Sequence, residues 1–245
     1  EAKGCSVLTV PFDIGGRFSV FTPVGLLPAS FAGLSLPSFM RGCDLALQDL
    51  PRLQSLVSTL WDSQSKGEMV FYSFQYSDRL NTFGLLLKQL WSESLGKAKK
   101  RTGETAQVVP TIVPCRGASD QHSVLQQIIE GPEKKFVCFH RVGSSEKGTD
   151  VLEKTEFSES LMLGRRVGDL LGVQADATES AVSQSHAGTM VLKSPDLTEE
   201  TLGELLMLWM LAIGSLGELL DINAFDQPGV ESGKVITRRV LRQVD

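Results

Sequence analysis

Residues 70–74 read Val-Phe-Tyr-Ser-Phe, and residues 136–139 read Phe-Val-Cys-Phe. Nearly continuous apolar runs of this kind are typical of strands that are covered on both faces, as in a parallel sheet. Five β-rich runs stand out along the chain: residues 7–12, 69–74, 108–114, 135–142 and 189–193. Segments with helical periodicity lie between them, at residues 52–63, 78–94, 121–130 and 159–171. This alternation predicts an α/β layer structure with a mainly parallel sheet.

The composition is that of an ordinary globular protein, with 42% hydrophobic and 22% charged residues among 245. The net charge of −5 argues against a nucleic-acid partner, and an anionic substrate would need a local cationic site. The most apolar stretch, residues 205–217, has about thirteen residues, which is too short to span a bilayer core of roughly 30 Å. It predicts a buried helix and no membrane partner. A capping box at residues 196–199, Asp-Leu-Thr-Glu, is expected to open this helix.

The cysteines and histidines carry no recognisable chemistry by their spacing. The four cysteines form no Cys-x-x-Cys pair, and they are interpreted as reduced thiols of a cytoplasmic protein: Cys5, Cys43, Cys115 and Cys138. The three histidines are scattered, so the sequence predicts no metal site. His140 and His186 are interpreted as structural.

The first fifty residues differ in character from the rest. They include Asp13-Ile14-Gly15-Gly16-Arg17-Phe18-Ser19, in which two glycines precede a cation. Gly15 and Gly16 are expected to supply backbone angles that other residues disfavour and to let another molecule approach closely. Arg17 cannot lose its proton and presents a rigid fork of donors, which suits it to a developing oxyanion. Residues 25–39 predict short helices and turns, so this part is interpreted as a connecting segment that carries function.

Two further sets of residues could share a face. Gln89 and Glu93 are four apart on a predicted helix, and Gln227 and Lys234 are seven apart, or two helical turns. Glu93 lies near a helix C-terminus, where the macrodipole disfavours its charge; on physical grounds alone it is interpreted as a solvated surface carboxylate. His122 follows a predicted strand at the start of a helix, which is where open α/β sheets place ligands.

Several of these strings occur together in one family. The form Gln-x-x-x-Glu-Ser-x-Gly-Lys at residues 89–97, Asp-Gln-His at 120–122 and Phe-Asp-Gln-Pro-Gly-Val-Glu-Ser-Gly-Lys at 225–234 follow the Gly-Gly-Arg segment in order. In this respect the chain resembles the glucose-6-phosphate isomerase family. The resemblance implies a sugar-isomerase (SIS) fold, a flavodoxin-like three-layer α/β/α sandwich. Residues 1–50 would then be an inter-domain connector, and residues 51–245 the second, C-terminal SIS domain with its C-terminal helices.

The resemblance also implies an activity of glycolysis and gluconeogenesis that uses no metal or organic cofactor. Members of the family interconvert glucose 6-phosphate and fructose 6-phosphate. Carried over by position, His122 and Lys234 would open the sugar ring, and Glu93 would move a proton between C1 and C2 through a cis-enediol(ate). Arg17 would stabilise the enediolate, and Gln89, Gln227, Gly15 and Gly16 would bind the sugar. The family's site lies across a homodimer, so His122 would act in the partner's site.

One departure from the family is large. Its members bind the phosphate with a Ser-Lys-Ser/Thr-x-Thr loop in the first SIS domain, and no such string is present here. The chain is therefore expected to be a C-terminal portion that is inactive or weakly active without an N-terminal SIS domain. Two alternatives remain open. One is a non-catalytic SIS module that binds a sugar phosphate; the other is an isomerase for a different phosphosugar, such as mannose 6-phosphate.

Overall fold

The computed structural model describes residues 4–143 and 166–242. The strands in these ranges are β1 (Val70–Tyr76), β2 (Thr111–Arg116), β3 (Lys135–Val142) and β4 (Gly188–Ser194). The helices are α1 (Pro23–Phe31), α2 (Leu36–Gln48), α3 (Leu50–Ser65), α4 (Asn81–Leu95), α5 (Gln121–Glu130), α6 (Val167–Ser183), α7 (Glu199–Leu219) and α8 (Pro228–Leu241). Short 3₁₀ helices lie at Gly16–Phe21 and Asp78–Leu80.

The four strands form one parallel sheet in the order β2-β1-β3-β4. The register pairs Phe74 of β1 with Phe139 of β3, deep in the sheet, where both side chains are fully buried. This confirms the predicted α/β fold and four of the five predicted strands. The fifth prediction, at residues 7–12, is wrong: these residues form no strand. Val7 and Phe12 are exposed and pair with no sheet edge. A β-rich run forms a strand only where a neighbouring strand pairs with it.

Helices cover both faces of the sheet, giving three layers. Alternate side chains of β1 enter two separate cores: Phe71 packs against Trp91 of α4 and Trp209 of α7, whereas Tyr72 faces Ile128 of α5 and Ala175 of α6. The helices predicted at 52–63, 78–94 and 121–130 correspond to α3, the second 3₁₀ helix with α4, and α5. The helix predicted at 159–171 lies partly outside the described residues.

The central helix of the larger core is α7, whose Trp209, Ala212 and Ile213 are fully buried. The predicted buried helix at 205–217 is thus confirmed. In the described part of the chain, α7 is also the one helix long and apolar enough to cross a membrane by length and composition. Its predicted cap needs correction, because Thr198 rather than Asp196 is the N-cap and accepts from the backbone N–H of Thr201.

The direction of the helices determines which residues can meet. The indole N–H of Trp91, near the end of α4, donates to the carbonyl of Pro110 (2.8 Å), just before β2 begins. The C-terminal turn of α4 therefore lies at the amino edge of the sheet. Helix α5 starts at the opposite edge, since Gln121 donates to the hydroxyl of Tyr76 (2.7 Å), the last residue of β1.

Candidate active site

Arg17 is positioned by the 3₁₀ helix Gly16–Phe21. The hydroxyl of Ser19 donates to the carbonyl of Gly16 (2.7 Å), and that of Thr22 donates to the carbonyl of Ser19 (2.7 Å). Thr22 also caps α1 by accepting from the backbone N–H of Val24. With the turn fixed in this way, the side chain of Arg17 points inward and is only 1% exposed.

The two glycines before Arg17 do not have the predicted backbone angles. Gly15 has φ −67° and ψ 153°, which any residue can adopt, and Gly16 is not among the glycines with positive φ. The prediction of unusual angles is therefore wrong. The space differs between them, since a Cβ on Gly15 would contact the carbonyl of Phe225 (3.5 Å), whereas one on Gly16 would meet nothing within 4 Å. The backbone at Gly16 is open to a neighbouring molecule.

The guanidinium of Arg17 joins three parts of the chain. Its Nε donates to the hydroxyl of Ser94 (2.8 Å), near the end of α4. Its Nη2 donates to the carbonyls of Ala224 (2.6 Å) and Asp226 (2.8 Å), in the segment before α8. Its Nη1 donates to Oε1 of Gln227 (3.2 Å). Because Nε and Nη2 bind the scaffold, Nη1 is the nitrogen that faces the candidate functional side chains.

Glu93 lies in the last turn of α4, with 28% of its side chain exposed. One carboxylate oxygen is 3.5 Å from Nη1 of Arg17, and the other accepts from the amide of Gln89 (3.2 Å). Gln89 and Glu93 thus share a helix face, as their spacing predicted. The partly exposed carboxylate, the cation and two amides form one group, which we call the Arg17–Glu93 cluster: Arg17, Gln89, Glu93 and Gln227.

The other two predicted catalytic residues lie outside this cluster. His122 is exposed near the start of α5, at the carboxyl edge of the sheet, and no hydrogen bond or ion pair in the described residues joins its imidazole to the Arg17–Glu93 cluster. Lys234 is exposed on α8. It follows Gln227 by seven residues, which corresponds to about 10 Å along a helix.

The cluster places a buried cation beside a partly exposed carboxylate. Burial lowers the pKa of Arg17 from its ordinary value, and the negative charges of Glu93 and Asp226 oppose that shift. An arginine remains a cation throughout the working range of a protein. Glu93 supplies a partly exposed carboxylate that can accept a proton, and Arg17 supplies a fixed positive charge beside it.

Two residues that bind the cluster were not predicted as functional. Ser94 is fully buried and accepts from Arg17, and Lys97 donates to the carbonyl of Glu93 (2.7 Å) and pairs with the carboxylate of Asp226 (3.1 Å). Both stand in the quoted string at residues 89–97, so the signal was present. Among the described residues, no group of three or more His, Cys, Asp or Glu is placed to hold a metal ion.

A comparison with protein families matches residues 7–245 to "Phosphoglucose isomerase". The chain belongs to the phosphoglucose isomerase family. A glucose-6-phosphate isomerase of Thermus thermophilus is 34% identical over 98% of this chain and 59% of its own length. That of Methanocaldococcus jannaschii is 29% identical over 99% of this chain and 60% of its own length. The chain thus spans about three fifths of the length of these curated relatives.

Two solved structures share this fold. A crystal structure of a hypothetical protein from Thermus thermophilus superimposes with a TM-score of 0.88 at 34% identity, over 98% of this chain and 58% of the other. A glucose-6-phosphate isomerase from Chlamydia trachomatis gives a TM-score of 0.81 at 22% identity, over 96% of this chain and 48% of the other. The second likeness is evidence of a shared fold.

Proposed function

We propose that this phosphoglucose isomerase family member is an aldose–ketose isomerase that interconverts glucose 6-phosphate and fructose 6-phosphate. The observation that carries the proposal is the ion pair between Arg17 and Glu93, with a glutamine amide on either side. A binding module needs donors for sugar hydroxyls. It does not need a partly exposed carboxylate beside a buried cation, which is what a proton transfer through an anion requires.

In the forward reaction the carboxylate of Glu93 takes the proton from C2 of the open-chain aldose. The electron pair of that C–H bond forms the C1–C2 double bond, and the carbonyl oxygen at C1 takes up the negative charge. Arg17 stabilises this cis-enediolate, an effect worth about 3–4 kcal/mol per well-placed donor in other enzymes. Proton movement between the two oxygens and return of the proton from Glu93 to C1 complete the ketose. Gln89 and Gln227 orient the sugar hydroxyls, and the open backbone at Gly16, next to Gly15, allows close approach.

Ring opening is assigned to His122 with support from Lys234, acting at the ring oxygen and the anomeric hydroxyl. The carboxyl-edge position of His122 and the amino-edge position of Glu93 are opposite ends of one sheet. A single copy therefore does not carry both groups to one sugar carbon. This supports a homodimer in which each site receives His122 from the partner.

The phosphate group of the substrate is assigned to a separate N-terminal SIS domain. The chain has no Ser-Lys-Ser/Thr-x-Thr string, and it spans about three fifths of the length of the two relatives named above. On this account residues 1–50 are the connector and residues 51–245 the C-terminal SIS domain of a cytoplasmic enzyme. The chain alone lacks the remote binding energy that the phosphate supplies, so it is inactive or weakly active by itself.

The test is a coupled assay that converts fructose 6-phosphate to glucose 6-phosphate. It is run on the chain alone and on the chain joined to, or mixed with, the N-terminal domain of a relative. Activity that depends on the added domain is the expected result. A complex that forms and binds the phosphosugar without turnover would replace the proposal with the non-catalytic SIS module. Turnover of mannose 6-phosphate in preference to glucose 6-phosphate would change the substrate but keep the chemistry.

A further inference from the structure

The ammonium group of Lys97 connects two segments that carry members of the Arg17–Glu93 cluster. It donates to the carbonyl of Glu93 (2.7 Å) in α4, and it pairs with the carboxylate of Asp226 (3.1 Å) and donates to the carbonyl of the same residue. Only 8% of the Lys97 side chain is exposed. A buried lysine with three oxygen partners on two segments is unlike a solvated surface lysine, which has no fixed partner.

The carbonyl of Asp226 is shared by two cations. It accepts from Nη2 of Arg17 (2.8 Å) and from Lys97. Gln227 is the next residue, and its amide oxygen accepts from Nη1 of the same arginine. The position of Gln227 therefore depends on the contact between Asp226 and α4, and Lys97 provides that contact from the helix side.

The location of Lys97 also has an electrostatic consequence. It lies just past the end of α4, where unpaired carbonyls make the helix terminus partly negative. A cation at this point is favourable, and it offsets the unfavourable position of the Glu93 carboxylate in the last turn. The hydrogen bond from Lys97 thus fixes the backbone of Glu93, and the positive charge of Lys97 reduces the negative potential around the Glu93 side chain.

We propose that Lys97 is a positioning residue of the isomerase: it holds the segment 224–227 against the end of α4, so that Gln227 and Glu93 are both placed against Arg17. The inference rests on the proposed function. Lys97 does not touch the reacting atoms in this account, and it acts through Asp226 and the backbone of Glu93.

The test compares Lys97→Met with Lys97→Arg and with a matched control, Lys99→Met. All are made in the chain joined to the N-terminal domain of a relative. Lys99 lies two residues further along the segment that follows α4, and it is exposed. We expect Lys97→Met to lower kcat by about 10–100-fold while KM changes by less than about threefold, since a displaced group near 1 Å costs this much. Lys97→Arg restores part of kcat because it keeps the charge, and Lys99→Met stays within about twofold of wild type.

Amide hydrogen exchange gives a second readout that does not need activity. In Lys97→Met the amides of residues 224–227 are expected to exchange at least about tenfold faster than in the wild type or in Lys99→Met. A kcat per folded molecule equal to that of the wild type, or unchanged exchange in this segment, would overturn the proposal. If the wild-type chain shows no isomerase activity even when joined to the N-terminal domain of a relative, the proposed function fails, and the exchange measurement alone decides whether Lys97 holds the segment.

Discussion

Nη1 of Arg17 lies 3.5 Å from a carboxylate oxygen of Glu93, and the two residues reach each other from opposite sides of an interface between a 3₁₀ helix and the end of α4. The arginine side chain is buried and the glutamate side chain is 28% exposed. The cation is thus held in place by the scaffold, whereas the carboxylate remains accessible. This asymmetry is what a fixed electrostatic stabiliser beside a proton-transferring base requires.

We predict that Glu93→Gln removes nearly all turnover but leaves sugar-phosphate binding nearly unchanged. The amide keeps the size and the contact with Gln89 but cannot take a proton, so kcat should fall by about 10²–10⁴-fold. Steady-state kinetics and calorimetric binding in the active preparation measure the two effects. Glu130→Gln, on the exposed end of α5, is the matched control with no expected effect. Near-normal turnover of Glu93→Gln would remove this residue from the mechanism.

Ser94→Ala is expected to weaken both stability and catalysis. Nε of Arg17 would lose its hydrogen-bond acceptor inside a buried site, which costs about 1–3 kcal/mol of unfolding free energy. The arginine fork would also lose one of its fixed contacts, so kcat should fall more than KM rises. Urea denaturation and kinetics provide the readouts. Ser92→Ala, at an exposed position of the same helix, should match the wild type, and equal effects from both substitutions would show that the Ser94 hydroxyl has no special role.

Mixed dimers test the assignment of His122 to the partner's site. Glu93→Gln and His122→Gln preparations should each be inactive, but random mixing gives half heterodimers with one intact site each, or about a quarter of wild-type activity. Mixing Glu93→Gln with Arg17→Ala serves as the control, because both residues lie in one chain's cluster and no intact site can form. Recovery in the control, or none in the first mixture, would contradict the partner-supplied histidine.

His140 gives a prediction about stability and pH. It lies fully buried, with its imidazole accepting from the indole N–H of Trp209 (3.1 Å), and burial lowers its pKa from 6.5 to about 4. Below about pH 6.5 the unfolded chain binds a proton at this histidine, whereas the buried imidazole of the native state binds one only near pH 4. This group therefore leaves the free energy of unfolding unreduced above pH 6.5 and lowers it as the pH drops toward 4. The total effect of this one group is about 3 kcal/mol.

The measurement is the urea unfolding free energy at pH 7 and pH 5. His140→Gln keeps an acceptor for Trp209 but does not titrate, so its stability should fall less between the two pH values than that of the wild type. His186→Gln is the control, because His186 is exposed and lies outside this network. An identical pH dependence in wild type and His140→Gln would show that His140 is not the group responsible.

The sequence was most informative where burial and local spacing act together. The apolar runs that became β1 and β3, and the spacing of Gln89 and Glu93, depend on local pattern and were predicted correctly. The run at residues 7–12 was mistaken for a strand because pairing is a property of the neighbours, which a local pattern does not contain. Thr198 and Asp196 offer equivalent capping oxygens, and only the helix start distinguishes them.

The sequence predicted the residues of the Arg17–Glu93 cluster, but not the hydrogen bonds and ion pairs that hold them in place. The contact of Ser94 with Arg17 and that of Lys97 with Asp226 join residues far apart in sequence, so no spacing rule could reveal them. The prediction of unusual backbone angles at Gly15 and Gly16 was wrong. A glycine can be needed because it has no side chain, which leaves space beside the backbone, as well as for its conformational freedom. The placement of His122 and Glu93 at opposite edges of the sheet follows from the direction of α4, which is a property of the topology.

In the proposed mechanism, Glu93 moves a proton between two sugar carbons and exchanges it with water. The most direct test is to incubate the active preparation with fructose 6-phosphate in D₂O and to locate deuterium in recovered glucose 6-phosphate by NMR. We expect deuterium at C2 in the wild-type product and none above background with Glu93→Gln. Isomerisation by the wild type with full retention of the substrate hydrogen would show that this hydrogen never exchanges with water, as in a direct hydride transfer, and efficient exchange by Glu93→Gln would indicate another base; either result would contradict this mechanism.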